Sequence, residues 1–414
     1  MSEIRDIPKH WEVKKLGEVC DILDNLRKPI NSTERQQRIA GKRESELYPY
    51  YGATGQVGWI DSFLTNDEYI LIGEDGAPFL DIYKDKAYKI KGKTWVNNHA
   101  HILKGKEQFL IDDFALYYLN SINYRKFVNG TTRLKLTKSN LVEIPFIVPP
   151  LPEQQAIVAK IEELLSELDN GKEQLQTALQ QLKVYRQSLL KWAFEGKLTN
   201  RNVKEGELPD GWRNIRIGDV IESISSGKSY RCNERPPNLG EVGIIKVSSV
   251  TWGFFDEMQS KTCFSNDLFN SKYQIHKGDF LFSRANTLDF IGACVIVSAV
   301  SKSLMLSDKI LRFTFSNESL KEYALYYLRS KKGRLQIEAL STGNQDSMRN
   351  IGQEKIKQIQ MPLPPVSEQQ LIVDELESKL TLCDNVEETI KISLQQTETL
   401  RQSILKQAFE GKLV

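Results

Sequence analysis

The chain is poor in the residues that hold metals and carry nucleophilic chemistry, with four histidines and five cysteines among 414 residues. The cysteines (Cys20, Cys232, Cys263, Cys294 and Cys383) are odd in number, stand far apart and form no CxxC pair. Their spacing excludes a disulfide framework or a zinc site and reads as reduced thiols in a cytoplasm. The longest apolar run, Ile291–Val300, is too short to cross a bilayer, and the polar residues 1–6 give no signal-peptide core. There is no GxxxxGKS/T phosphate loop and no glycine-rich fingerprint opening a βαβ unit. His99-Ala100-His101 is the only close histidine pair, and no third ligand stands nearby. Glu195-x-Lys197 and Glu410-x-Lys412 resemble nuclease ends but lack an upstream acid, and helix capping suffices to explain them. With no nucleophile–base arrangement in view, the sequence assigns no catalytic residue and no metal, and reads as a non-catalytic chain.

What is present is a repeat. Pro150–Thr199 recurs as Pro365–Val414, at an offset of 215, without a gap and with about half the positions identical. A repeat this long specifies architecture. Each copy opens on Glu-Gln-Gln (Glu153-Gln154-Gln155 in the first) and closes on Phe-Glu-Gly, which puts Gly196 where a helix can end in αL. Between those ends apolar slots alternate four and three apart. They hold Ile157, Ile161, Leu164, Leu168, Leu175, Leu182 and Leu189 in the first copy. In the second they hold Ile372, Leu376, Val386, Ile390, Leu400 and Ile404. That is a heptad seam, the signature of a coiled coil. At about 1.5 Å per residue it makes a rod of about 60 Å, whose stripe needs a partner. The other copy is the expected partner, packed antiparallel. Two independent helices on separate domains are the alternative.

The repeat extends beyond the helices. Pro8 and Trp11 recur as Pro209 and Trp212 at an offset of 201, and Ala115–Ser121 recurs as Ala324–Ser330 at an offset of 209. The order is therefore globular (1–149), helix (150–199), globular (200–364), helix (365–414). The expected fold is α+β with a pseudo-twofold internal repeat: two globular domains with mixed, bent sheets, separated by two long antiparallel coiled-coil helices. Strands are expected over residues 68–73, Ala100–Leu103, Ile144–Val148, Val242–Val247, Asp279–Ser283 and Cys294–Val297. Helices are expected over Asp112–Phe127 and Ser319–Leu340, and Tyr50–Ile60 reads as a glycine-punctuated aromatic loop.

Net charge is only +2, but the globular segments hold the excess of lysine and arginine and the helices the excess of acid. Such a distribution suits domains that touch nucleic acid and a spacer that meets protein. In the first domain the basic candidates are Arg27, Lys28, Arg38, Arg43, Arg133 and Lys135, with Tyr51, Thr54, Gln56, Asn97, Asn98 and His99 as possible base readers. In the second they are Lys228, Ser229, Tyr230, Arg231, Arg284, Asn286, Asn344 and Gln345. For each one singly, a solvated loop residue is the competing reading.

The repeated frame resembles the specificity subunit of a type I restriction–modification system. The matching residues are PLPEQQ (Pro150–Gln155) with its counterpart at Ser367–Gln370, and RQSLLKWAFEGKL (Arg186–Leu198) with RQSILKQAFEGKL (Arg401–Leu413). YPYYGATGQVGWID (Tyr48–Asp61), YILIGEDGA (Tyr69–Ala77) and KGDFLFSR (Lys277–Arg284) are similar to that family's target recognition domains. The resemblance implies that each domain reads one half of a bipartite, asymmetric sequence in double-stranded DNA. It also implies that the helices set the unread gap and dock two modification (methyltransferase) subunits. S-adenosylmethionine would belong to those subunits, which methylate adenine at N6, and ATP and Mg to restriction subunits in the full endonuclease, leaving this chain without a cofactor. The competing reading is a coiled-coil adaptor that assembles proteins without reading DNA, and after it an enzyme in its own right.

Overall fold

The computed structural model describes residues 7–414 except 201, 205, 346 and 347, with only the backbone of 344 and 345; the segment read above for a signal core, 1–6, lies outside the described residues. The chain forms two compact units, Met1–Thr177 with Ile390–Val414, and Ala178–Thr389. Each unit takes a globular segment and parts of two 44-residue helices, Leu151–Phe194 and Val366–Phe409.

In the first unit a six-stranded mixed sheet runs Cys20–Ile22, Ala100–Gly105, Thr65–Gly73, Ala87–Val96, Tyr48–Gly52, Gly55–Ile60. Thr94 pairs with Thr65 at one end of the third strand, and Ala100 with Gly73 at its other end. A straight strand would hold those ends roughly 26 Å apart, more than the roughly 21 Å that the links from Thr94 to Ala100 can reach. The sheet is therefore sharply curled. Tyr50–Ile60, expected as a loop, is a hairpin instead: its aromatics alternate across a strand pair that turns at Ala53-Thr54. The helix expected over Asp112–Phe127 stops at Ser121, and a 3-10 turn over Tyr124–Lys126 follows.

The second unit holds an antiparallel sheet in the order Ile221–Ser226, Ile310–Phe315, Phe280–Ser283, Cys294–Ile296. A second sheet runs Cys232–Asn233, Ser260–Cys263, Val242–Ile245, Ser303–Met305, with one parallel pair. A small third sheet joins Ala285–Asn286, Met348–Asn350 and Thr342–Gln345. The helix expected over Ser319–Leu340 breaks into Leu320–Arg329 and Lys331–Leu340. Ser330 causes the break by capping the second helix, its hydroxyl accepting from Gly333 N–H at 3.2 Å.

The repeated motifs are clamps. In the first unit Trp11 Nε1 donates to Glu153 Oε2 at 2.7 Å, and in the second Trp212 Nε1 donates to Glu368 Oε2 at 2.9 Å. Gln154, fully buried, accepts from Ile111 N–H at 3.0 Å and donates to the carbonyls of Phe109 and Pro149. At the other helix ends, Phe409 packs edge-on against Phe114 and Tyr118, and Phe194 against Tyr323 and Tyr327. Gly196 and Gly411 close the helices at φ +73° and +68°. A Cβ at either would stand 2.2 or 2.3 Å from Pro209 or Pro8, so only glycine fits. Each globular segment is thus gripped by the start of one long helix and the end of the other.

Within each unit the helices run antiparallel. Arg401 faces Asp169 at 3.8 Å and Lys172 bonds Glu398 at 2.6 Å in the first; Arg186 bonds Asp384 at 2.6 Å and Glu387 at 2.9 Å in the second. Arg186 and Asp384 are the repeat counterparts of Arg401 and Asp169 at the same offset of 215, so one ion pair occurs twice with its partners exchanged between helices. Of the expected seam, Ile157, Ile161, Leu189, Ile372, Leu376, Ile390 and Ile404 are buried, and Leu164, Leu168, Leu175 and Leu182 are half-buried. Val386 and Leu400 depart from it, 41% and 50% exposed. Beside them the next residues, Glu387 and Arg401, are half-buried with their charges paired across the helices.

Candidate nucleic-acid interface

The two units share a four-strand frame. Taken in chain order, its strands lie first, fourth, second, third across both sheets, antiparallel throughout. At one end of that frame three segments meet: the one leaving the first strand, the one leaving the second, and the one entering the fourth. In the first unit these are Leu23–Lys28, Glu74–Gly76 and Asn97–His99. In the second they are Gly227–Arg231, Arg284–Asn286 and Ser307–Lys309. Most of the candidate readers fall on these equivalent segments.

In the first unit Thr54, Asn97, His99 and Arg133 line one concavity of about 380 Å³, together with Arg35 and Tyr50. Asp75 organises it. The carboxylate takes a bond from the His99 ring at 2.7 Å and from Arg133 Nη2 at 2.8 Å, holding both side chains at the rim. Asn97 is buried and its side-chain oxygen accepts from His99 N–H at 2.8 Å, which fixes the turn. Arg35 donates to the Val57 carbonyl at 3.1 Å and lies over the Tyr50 ring at 4.9 Å. Thr54, Gln56, Asn98, Lys28 and Arg43 are exposed. Gln56 donates to the Gly58 carbonyl, and Arg43 reaches Glu46 at 3.4 Å. Tyr51 packs half-buried against Tyr88, and burial raises its phenol above the ordinary value.

Three basic candidates are committed elsewhere. Arg27, 16% exposed, bonds Asp24 at 3.1 Å, Glu74 and the Ala100 carbonyl at 3.0 Å. Arg38 bonds Asp61 and lies over the Trp95 ring at 5.0 Å. Lys135 pairs with Glu74 at 3.0 Å. His101, two residues after His99, is buried and held by Asp24 at 2.8 Å and the Leu136 carbonyl at 2.9 Å. The two histidines therefore serve different carboxylates and do not make a pair. Among the described residues no group of three or more His, Cys, Asp or Glu is placed to hold a metal ion.

In the second unit Lys228, Ser229 and Arg231 are exposed, and the Ser229 hydroxyl donates to Asp308. Gly227 N–H bonds the Ser307 carbonyl at 3.2 Å and Arg284 N–H the Lys309 carbonyl at 3.0 Å, so the turn entering the fourth strand ties both neighbouring segments together. Tyr230 is half-buried against Val242, Ile244 and Cys263. Arg284 is half-buried, as is Asn286, whose amide oxygen accepts from Thr287 N–H at 2.9 Å. Asn286 pairs across the small sheet with Arg349, next to the hairpin strand that carries Asn344 and Gln345; the side chains of those two lie outside the described residues. Sequence reasoning passes over Asp75, Asp308 and Lys309 as contributors. An acid among basic residues carries no attractive signal for a phosphate backbone, and only its place on the frame gives it away.

A family model described as the type I restriction modification DNA specificity domain matches residues 8–181 and again 209–396. A type I restriction enzyme specificity subunit of Haemophilus influenzae is 27% identical over 391 residues, covering 94% of this chain and 92% of that one. The EcoKI specificity subunit of Escherichia coli is 27% identical over 318 residues, covering 74% and 67%. Among solved structures, one described as showing complex assembly and conformational transition of the type I R-M system aligns with a TM-score of 0.71 at 17% identity, covering 98% and 99%. The HsdS subunit of Thermoanaerobacter tengcongensis aligns with a TM-score of 0.60 at 16% identity, covering 98% of each chain.

Proposed function

The chain belongs to the type I restriction–modification DNA specificity family, and on that premise we propose how it recognises DNA. It acts as the non-catalytic specificity subunit, each globular segment reading one half of a bipartite, asymmetric target. Supporting this is the placement of polar and basic side chains on equivalent segments of one strand frame in both units. Divergent segments on a common frame are what two readers of unlike half-sites need. The domains are taken as 1–149 and 200–364, with the helices 150–199 and 365–414 between and after them. Those helices set the gap and carry the docking surface for two modification subunits, which bring S-adenosylmethionine. Restriction subunits with ATP and Mg complete the endonuclease. Its work on DNA places the chain in the cytoplasm; separately, among the described residues no helix is long and apolar enough to cross a membrane.

The test is a methylome. The chain is expressed with its cognate methyltransferase in a methylation-free host, and N6-methyladenine is mapped by single-molecule sequencing. One split motif with unlike halves and a fixed gap is expected. Methylation without such a motif, or none from an intact complex, would favour the adaptor. Inserting four residues after Glu162 and after Glu377 should change the gap and leave both half-sequences as they were. An unchanged gap in a folded variant would remove the ruler.

A second expectation concerns Arg133, 64% exposed at the rim. Arg133→Ala should change stability by no more than about 0.5 kcal/mol. Binding to target DNA should weaken, with the salt dependence flattened by about one counterion. Fluorescence anisotropy across a salt series reads both. An unaltered slope would place Arg133 away from the phosphates.

A further inference from the structure

Cys232 and Cys263 lie far apart in sequence, yet the fold sets them face to face. Strand Cys232–Asn233 pairs antiparallel with Ser260–Cys263 in a register that puts Cys232 directly opposite Cys263, with their sulfurs 3.9 Å apart. Residues directly opposite in an antiparallel pair have Cα atoms about 4.5 or 5.5 Å apart, and both values fall in the range that a disulfide spans. Cys232 is half-buried and open to small oxidants, whereas Cys263 is buried behind it. Cys20, Cys294 and Cys383 are all buried.

The location gives the pair a consequence. Cys232–Asn233 is the outermost strand of its sheet and only two residues long, so few ladder bonds hold it. It follows immediately on Lys228–Arg231, the segment beside Asp308, in which Lys228, Ser229 and Arg231 are exposed.

We propose that Cys232 and Cys263 form a redox-active dithiol, which hydrogen peroxide converts to a disulfide that pins this edge strand and the segment before it. The Cys232 sulfur attacks one peroxide oxygen, the O–O bond breaks, and a sulfenic acid and one water result. The Cys263 sulfur then attacks the sulfenic sulfur, an S–S bond forms as the S–O bond breaks, and the hydroxide leaves as water with the Cys263 proton. Two thiols and one peroxide give one disulfide and two waters, with two electrons passing from sulfur to oxygen. Burial pushes the Cys263 thiol up to about 12, so its attack on the sulfenic sulfur quickens as pH rises. Neither step involves DNA.

The full-length chain is treated with a small excess of hydrogen peroxide, its remaining thiols are alkylated, and peptides are mapped without reduction. Two of the five thiols should disappear, a peptide joining Cys232 to Cys263 should appear within one chain, and dithiothreitol should reverse both. Hydrogen exchange over residues 228–233 should slow in the oxidised form. Cys263→Ser should leave a sulfenic acid at Cys232 that dimedone traps, and Cys232→Ser should leave no oxidised cysteine. Survival of all five thiols, a cross-link between chains or through another cysteine, or sulfinic acid at Cys232 without a cross-link would each overturn the proposal.

Discussion

Phe194→Ala is expected to destabilise the second unit by about 3–5 kcal/mol, the range seen when a fully enclosed aromatic is truncated in a core. Phe194 is 1% exposed, and its ring meets Tyr323 and Tyr327 edge-on at 5.3 and 5.1 Å. The hydroxyls of those tyrosines bond the carbonyls of Pro362 and Gln360, so the ring also supports the strand that leads into the second long helix. Its loss leaves a cavity where three elements meet, and rigid strands and helices cannot collapse to fill it. Phe409→Ala should do the same to the first unit, where Phe114 and Tyr118 would lose their cover. Urea unfolding gives the magnitude, and hydrogen exchange over residues 320–340 and 360–363 shows where it falls. Trp192→Ala serves as the control: the ring is 41% exposed, and about 0.5 kcal/mol is expected. Equal losses at Trp192 and Phe194 would show that the helix end is not a clamp.

Phe194 also shows what a sequence can and cannot disclose. The repeat made the two helices, their ends and their glycine stops legible, because heptad spacing and capping chemistry are local. It did not disclose why Glu-Gln-Gln and Phe-Glu-Gly recur. Those residues are explained by partners far off in the chain: Trp11 for Glu153, Ile111 for Gln154, Tyr323 for Phe194. Basic loop residues divided for the same reason. Arg133 and Arg27 look alike in sequence, yet one stands at a rim and the other is enclosed by two carboxylates and a carbonyl. Register brought Cys232 opposite Cys263, and nothing in the spacing of the cysteines announces it. The slots at Val386 and Leu400 differ in another way: both side chains are exposed, and the charged neighbours Glu387 and Arg401 pair across the helices instead, which apolar spacing alone does not disclose.

Arg27→Ala should cost about 3 kcal/mol at neutral pH, near the lower end of what breaking a buried ion pair entails, since Arg27 keeps a little contact with water. The arginine lies between Asp24 and Glu74, with His101 bonded to the first and 3.8 Å from the second. Removing the guanidinium leaves two enclosed carboxylates short of a cation and the carbonyl of Ala100 short of a donor. The pH dependence carries the diagnosis. Burial pushes the Asp24 carboxyl up, but the bond and charge of His101 and the charge of Arg27 outweigh it and hold it below the ordinary value. Glu74 is likewise pushed up by burial and brought below its ordinary value by its bonds to Lys135 and Arg27. A depressed carboxyl adds stability that is fully present above the unfolded-state pKa, about 4, and is lost as pH falls through the lower folded-state value. Without Arg27 both carboxyls titrate higher, so less of that contribution exists to be lost. The gap between parent and variant should therefore be widest near pH 7 and narrow as pH falls from about 5 to about 3, as read by urea unfolding at each pH. A gap that stays constant would mean the loss comes from packing of the arginine stem and not from its charge. The same variant separates structure from recognition: residual DNA binding at neutral pH should fall with the folded fraction and keep the parent's salt slope, whereas Arg133→Ala lowers the slope in a chain that stays folded.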